Sequence, residues 1–321
     1  MQESPCLKKE RTVVSMMWSV VLALCALLVL PTVYYGWRPL VTAFGTAALC
    51  WIAEASVCLV RRSAIHASDP SVLITGLIIA LLMPVNVPFW MPAVAALFAV
   101  LVARAPFGGT GYTPFNPAAA GVAFATICWP QKMFSYVSPS VGQNLPAFGD
   151  CVYTAVRSPA GVLKDGLKPD IVPMEMLWGR FVGPMGTTAM LVIGACFLFL
   201  ILRRIANWEA PVFFLFAAAL FAALGPRIAC SSLTSVKYEL MSGSLFFCAV
   251  FMVTDPVTAP RTAVGRCVYG VFGGILVMLF RHFGAYEQGA CFAVLAMNAV
   301  APLLDRAVCS ARAWGGKIVE S

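Results

Sequence analysis

Apolar runs separated by short polar breaks recur along the whole chain, near 12–33, 39–60, 71–84, 89–103, 115–129, 180–202, 209–225, 238–254, 266–281 and 286–304. A helix needs about 20 apolar residues to cross the hydrocarbon core of a bilayer. Backbone at that depth must also satisfy its own hydrogen bonds, so runs of this kind are helical. The pattern predicts an all-α polytopic membrane protein with about ten transmembrane helices. The third, fourth and fifth runs are short for full crossings, which predicts tilted or broken helices. The first run has no small-residue processing site and leads into another span, so it reads as a span and not a cleaved leader. One long segment, 130–178, is not apolar, and its Pro and Gly content predicts a loop-rich stretch. It divides the chain into a membrane half at 1–129 and a second at 179–321.

The two halves echo each other. Thr75-Gly76 leads to Met83-Pro84 in the third run, and Ser242-Gly243 leads to Thr254-Asp255-Pro256 in the eighth. The fifth opens with Asn116-Pro117-Ala118, and the tenth carries Asn298 and Ala301-Pro302. Five spans is an odd number, so a second copy enters the membrane inverted. Inverted halves with Pro-interrupted helices are a feature of transporters. Pro and Gly are also common in membrane helices generally, so chance similarity is the competing account.

Composition sharpens this picture. Of the 321 residues, 60% are hydrophobic and 11% charged, with a mean hydropathy of +0.86. Soluble domains carry about 25% charged residues. Lys and Arg gather on one side of the predicted membrane, from Lys8, Lys9 and Arg11 through Arg61, Arg104, Arg203 and Arg261 to Arg306 and Lys317. The opposite side has only Arg38, Arg180, Arg227, Lys237 and Arg281 in its short loops and span ends. This asymmetry predicts both termini in the cytoplasm and 130–178 outside it. It also accounts for the net charge of +8 without nucleic acid as a partner. The partner that composition does imply is the lipid bilayer. Twelve cysteines are scattered without a Cys-x-x-Cys pair, and most read as small apolar packing residues. Cys151 and Cys230 share the outer side, where nothing in the sequence pairs them. His66 and His282 lie in separate loops, which excludes an obvious haem or zinc set.

A few polar groups at membrane depth are the candidates for chemistry. Asp255 borders an apolar run and precedes Pro256, and a charge there is costly unless it caps a helix, faces a cavity or has a partner. Pro256 and Pro260 break the helix, so freed carbonyls with the Thr254 and Thr258 hydroxyls offer a setting for a cation or ligand. The alternative is a capped helix end. Glu54, in the second run, is either functional or an interfacial residue facing water. Asn116 and Pro117 follow the turn Gly108-Gly109-Thr110-Gly111-Tyr112 and suit the start of a helix, a fit for an anionic group. Small residues of this kind also serve close helix packing.

These stretches, together with Gly265-Arg266-Cys267-Val268-Tyr269-Gly270 and Met297-Asn298 to Asp305, resemble the RnfD component of the Rnf ion-translocating oxidoreductase complex. Its relative is the NqrB component of the sodium-translocating NADH:quinone reductase. The resemblance covers about residues 12–306, and the length favours the Rnf protein. It implies a bundle of about ten helices in two inverted halves, within an inner-membrane complex coupling electron transfer to movement of Na+ or H+. It also implies partner subunits that hold any NAD or ferredoxin chemistry, because this chain has no nucleotide-binding loop and no iron–sulfur cysteine cluster.

The family commonly carries FMN esterified to a threonine in a Ser-Gly-Ala-Thr-like motif of the long loop. The matching stretch here is Val156 to Lys164, and Ala160 or Gly161 takes the threonine's place, depending on the alignment. Neither has a hydroxyl. Ser158 and Thr154 are the nearest hydroxyls, so the expectation is no covalent FMN, or a small amount on Ser158. FMN or riboflavin held without an ester stays open, with Asn116, Thr254 and Asp255 as candidate contacts. Thr187 is a second departure, at a position where the family often has glutamate. Two readings compete with the electron-transport subunit: a solute channel or transporter, and a flavin-free scaffold of the complex.

Overall fold

A computed structural model describes residues 5–62, 70–109, 111–139, 145–149, 154–228 and 230–319. Among these residues the chain is all-α, with one isolated bridge between Tyr136 and Val156. Before the long loop come α1 (Pro5–Leu27), α2 (Val29–Tyr35), α3 (Arg38–Arg61), α4 (Ser71–Leu81), α5 (Trp90–Leu101) and α6 (Pro117–Cys128). The loop holds the short α7 (Pro130–Met133), α8 (Pro159–Lys164) and α9 (Pro173–Leu177). After it come α10 (Met190–Leu202), α11 (Glu209–Leu224), α12 (Ser232–Met241), α13 (Leu245–Phe251), α14 (Ala263–Phe283) and α15 (Ala290–Val319).

Five helical stretches are long and apolar enough to cross a bilayer: Val13–Tyr35, Arg38–Arg61, Trp90–Phe107, Ala263–Phe283 and Ala290–Ser310. Ser71–Leu81, Pro117–Cys128, Met190–Leu202 and Glu209–Leu224 are apolar but shorter, as is α13. The third and fifth runs are short helices as predicted. The fourth is longer than expected, because a 3₁₀ turn over Ala105–Phe107 extends it.

The same pairings occur before and after the long loop. In the first set α1 packs on α4, α3 on α4 and α5, α5 on α6, and α4 on α6. In the second α10 packs on α13, α11 on α13 and α14, α14 on α15, and α13 on α15. Corresponding members also touch across the middle, α1 against α10 and α6 against α15. The tightest joint is α11 on α14. A methyl group at Gly270 would stand 2.5 Å from the Ala210 carbonyl oxygen, and one at Gly274 would overlap that of Phe214. Glycine at this four-residue spacing lets two backbones meet without a side chain between them.

Two predicted runs are interrupted in the structure. The sixth was expected to be helical from 180, but α10 begins only at Met190. Gly183, Pro184 and Gly186 favour irregular backbone, and that backbone is used: Gly186 N–H donates to the Leu81 carbonyl (2.7 Å) and Met185 N–H to that of Met83 (3.1 Å). The end of the short α4 is thereby satisfied by protein, the condition for broken helices at membrane depth. The eighth run divides at Ser242-Gly243-Ser244, where Gly243 has φ +65°, into α12 and α13. The tenth is not interrupted by its proline, since α15 continues through Pro302.

Hydrogen bonds sort the ends of the bundle into two sides. On the side of the 130–178 loop, Tyr35 Oη donates to the Val137 carbonyl at 3.1 Å. The fully buried Arg38 donates there to the carbonyls of Val85, Val87, Pro146 and Gly149. Also on that side, Glu239 lies between Arg227 (2.5 Å) and Arg281 (3.2 Å). On the opposite side, Asp305 accepts from the backbone N–H groups of Arg261 (2.9 Å) and Thr262 (3.2 Å). Arg266 there pairs with Glu209 at 3.1 Å.

Candidate functional site

The break after α13 brings the Asp255 turn to the start of α6. Asn116 caps that helix, its Oδ1 accepting from Ala119 N–H at 3.1 Å, while Pro117 occupies the first turn, where its missing N–H costs nothing. The Asn116 amide also donates to Asp255 Oδ2 at 3.4 Å, the long end of the hydrogen-bond range. Thr258 Oγ1 donates to the same oxygen and Val257 N–H to Oδ1, both at 3.1 Å.

The α15 residue Asn298 joins this node. Its amide orientation follows from its neighbours: Oδ1 accepts from Asn116 N–H (2.9 Å), and Nδ2 donates to Tyr269 Oη (2.8 Å) and the Val294 carbonyl (3.2 Å). Asn116 and Asn298 are nearly fully buried. Residues from α6, the Asp255 turn, α14 and α15 are thus joined by a single polar chain across the two sets of helices.

Glu54 approaches from α3. Its Oε1 lies 3.4 Å from Nε of Arg104, whose Nη2 donates to Ser71 at 2.7 Å. Arg104 also acts electrostatically on Asp255. Gly108, Gly109 and Gly111 have φ of +101°, +89° and +86°, and a methyl at Gly109 would stand 3.5 Å from Glu54 Oε1. The glycine turn therefore lies beside Glu54. Thr110 lies outside the described residues.

Thr254 takes no part in the Asp255 cluster. Its hydroxyl donates back to the Val250 carbonyl at 2.5 Å, the local alternative open to threonine near a helix end. It lines a cavity of about 210 Å³ with Asn207, Pro256, Arg261 and Arg266. Cavities that enclose cofactors run roughly 300–1,000 Å³, so this one is small for a flavin.

Ser158 lies on the other side of the bundle. It is buried at the cap of α8, with Oγ accepting from Gly161 N–H at 3.0 Å and donating to Glu287 Oε1 at 2.8 Å. Ala160 is buried as well. A methyl at Gly161 would stand 2.5 Å from Glu287 Oε2. Thr187 is fully buried, its hydroxyl donating to the Pro184 carbonyl at 3.2 Å. The structure thus separates Ser158 from Asn116 and Asp255, which sequence reasoning had grouped as one set of cofactor contacts. Sequence reasoning also missed Glu287, Glu239 and Tyr136. The available signal was a single carboxylate near the start of each of the apolar runs 238–254 and 286–304.

Cys230 forms no disulfide among the described residues. Cys151 and His66 lie outside them.

Short broken helices in an all-α bundle, with amides and a carboxylate shared between its two sets of helices, are the architecture of polytopic membrane transport proteins. The chain belongs to the NQR2, RnfD, RnfE family, whose pattern matches residues 1–313. It is 32% identical over 335 residues to the D component of the ion-translocating oxidoreductase complex of Klebsiella pneumoniae (strain 342), covering 94% of this chain and 95% of that protein. It is 31% identical over 332 residues to the proteins of the same name from Salmonella dublin and Escherichia coli O7:K1, covering 94% of each chain.

Proposed function

We propose that this chain is a membrane subunit of an Rnf-like complex that couples electron transfer to translocation of Na+ or H+. In this reading it sits in the inner (cytoplasmic) membrane with both termini in the cytoplasm and works with partner subunits that supply the electrons. Residues 1–129 and 179–321 act as two inverted halves joined by an extracytoplasmic loop at 130–178. Family membership across nearly the whole chain supports the assignment to such a complex. The placement of Lys and Arg supports the orientation, and the recurring helix pairings support the halves.

The observation that carries a role for the chain's own residues is the Asn116–Asp255 bridge between the halves. A carboxylate whose donors among the described residues are a hydroxyl and amides retains lone pairs for a passing cation, and Glu54 and Arg104 adjust the local charge. Asp255→Asn keeps the shape and removes the charge. Coupled ion transport by the intact complex is expected to fall about tenfold, equivalent to about 1.4 kcal/mol, with the amount of assembled complex unchanged. Unchanged transport reduces Asp255 to a helix-end residue.

Covalent FMN does not fit the Val156 to Lys164 stretch that matches the family motif. A phosphoester needs a hydroxyl; Ala160 and Gly161 have none, and that of Ser158 is buried and already bonded on both sides. This favours a subunit without esterified flavin. FMN or riboflavin held without an ester requires no such hydroxyl, and flavin analysis after gentle purification measures it.

A further inference from the structure

We propose that Glu287, positioned by Ser158 and Tyr136, is an exchangeable proton site at the loop-bearing end of the bundle, connected to the interior through a water-sized cavity beside Tyr136. The proposal rests on side-chain geometry and is independent of the electron-transfer reading.

Glu287 lies in the turn between α14 and α15 and is partly buried. Its Oε1 accepts from Tyr136 Oη at 2.9 Å and Ser158 Oγ at 2.8 Å. Each hydroxyl in turn accepts an N–H, from Gln288 Nε2 (3.0 Å) and Gly161 N (3.0 Å) respectively. Two donor chains therefore converge on one carboxylate oxygen. The other oxygen, Oε2, lies over Gly161, the space a side chain at 161 would take. No ion pair to Glu287 is present among the described residues.

The charged and titratable neighbours are otherwise engaged. From α14, Arg281 is committed to Glu239 and to the carbonyls of Glu239 and Ser242, and His282 turns to the carbonyls of Met278 and Gly225. From α8, Lys164 donates to the Ala285 carbonyl. Tyr286 is stacked on Phe292, and Cys291 faces the cavity. A carboxylate with only neutral donors can lose its charge without leaving an unpaired cation behind. Burial pushes its carboxyl up from the ordinary range, against the opposing pull of the three hydrogen-bonding neighbours and Arg281.

Tyr136 and Gln288 also line a cavity of about 20 Å³ with Ser244, Thr126 and Cys291. That volume holds one water, and hydroxyls of α6 and of the α13 cap give it polar partners. The cavity lies where the two sets of helices meet. In the exchange, a hydronium ion gives its proton to Oε2, an O–H bond forms, the carboxylate becomes a neutral acid and a water molecule is left. The reverse step returns the proton to water.

The test uses the full chain in lipid, without partner subunits, and records infrared difference spectra on acidification. The expected result is the carbonyl-stretch band of a buried carboxylic acid that is lost in Glu287→Gln and shifted in Tyr136→Phe. Glu287→Asp serves as a second variant and is expected to keep a band at a displaced titration midpoint. A band untouched by Glu287→Gln, or no band in the native chain, overturns the proposal. So does a band removed by sodium, but not by choline, at constant pH, because it assigns the site to a metal cation.

Discussion

Glu239 and Glu287 lie at the same end of the bundle in different company. Glu239 is only 1% exposed and sits between the guanidinium groups of Arg227 and Arg281. Glu287 accepts from two hydroxyls and faces a glycine. In the first case, removing the carboxylate strands the buried Arg281 and the partly buried Arg227, so the charge is structural. In the second, neutralising the carboxylate leaves no ion unpaired. The partner set thus makes one glutamate a brace and leaves the other free to exchange a proton.

The sharpest way to break this comparison is Glu239→Ala. Stranding the buried Arg281 and the partly buried Arg227 is expected to cost about 3–5 kcal/mol, read as a large drop in the thermal unfolding midpoint of the purified protein. A loss no larger than that of Glu287→Gln would show that the guanidinium groups are satisfied by carbonyls alone.

Gly161→Thr probes the second glutamate from the other side. The new Cβ pushes on Glu287 Oε2, which can retreat only by giving up Ser158 or Tyr136. A cost of about 1–3 kcal/mol is expected. The native chain should give no flavin fluorescence on a denaturing gel. The variant should give a band only if 161 is the acceptor position, its hydroxyl reaches solvent and a flavin transferase is present. Fluorescence mapped to a native peptide spanning Thr154 to Lys164 would place flavin on the exposed Thr154 or the buried Ser158 and overturn this expectation.

The smallest effect concerns pH. Burial raises the Glu287 carboxyl above its ordinary 4.5 in the folded chain. Below that value both folded and unfolded chains hold the proton, and stability is unaffected. As pH climbs toward the raised native value, the unfolded chain releases its proton first, so the native state loses stability relative to Glu287→Gln. The difference is expected to grow with pH and then level off in parallel melts. A difference that shrinks with rising pH would mean the hydroxyl donors outweigh burial.

Much of the architecture was legible in the chain. The positions of all ten apolar runs correspond to helical stretches, and the short third and fifth runs are short helices. Asn116-Pro117 did begin a helix, because an amide cap and a first-turn proline are local devices. The misreadings have a common origin. The start of the sixth run looked helical by hydropathy, yet its Gly183-Pro184-Met185-Gly186 backbone serves the end of α4, a partner about a hundred residues away. The Thr254 hydroxyl bonds its own helix, while Thr258 reaches Asp255.

By itself the sequence determined the all-α membrane class, the segment order, the Lys and Arg asymmetry and the family, because hydropathy and short motifs are written in neighbouring residues. Only the tertiary structure decided which polar groups meet. Asn116 finds Asp255 across 139 positions and Ser158 finds Glu287 across 129. No periodicity encodes such pairs. They arise because an apolar bundle leaves few polar partners in reach, so each buried carboxylate takes its character from whatever donors the packing brings to it.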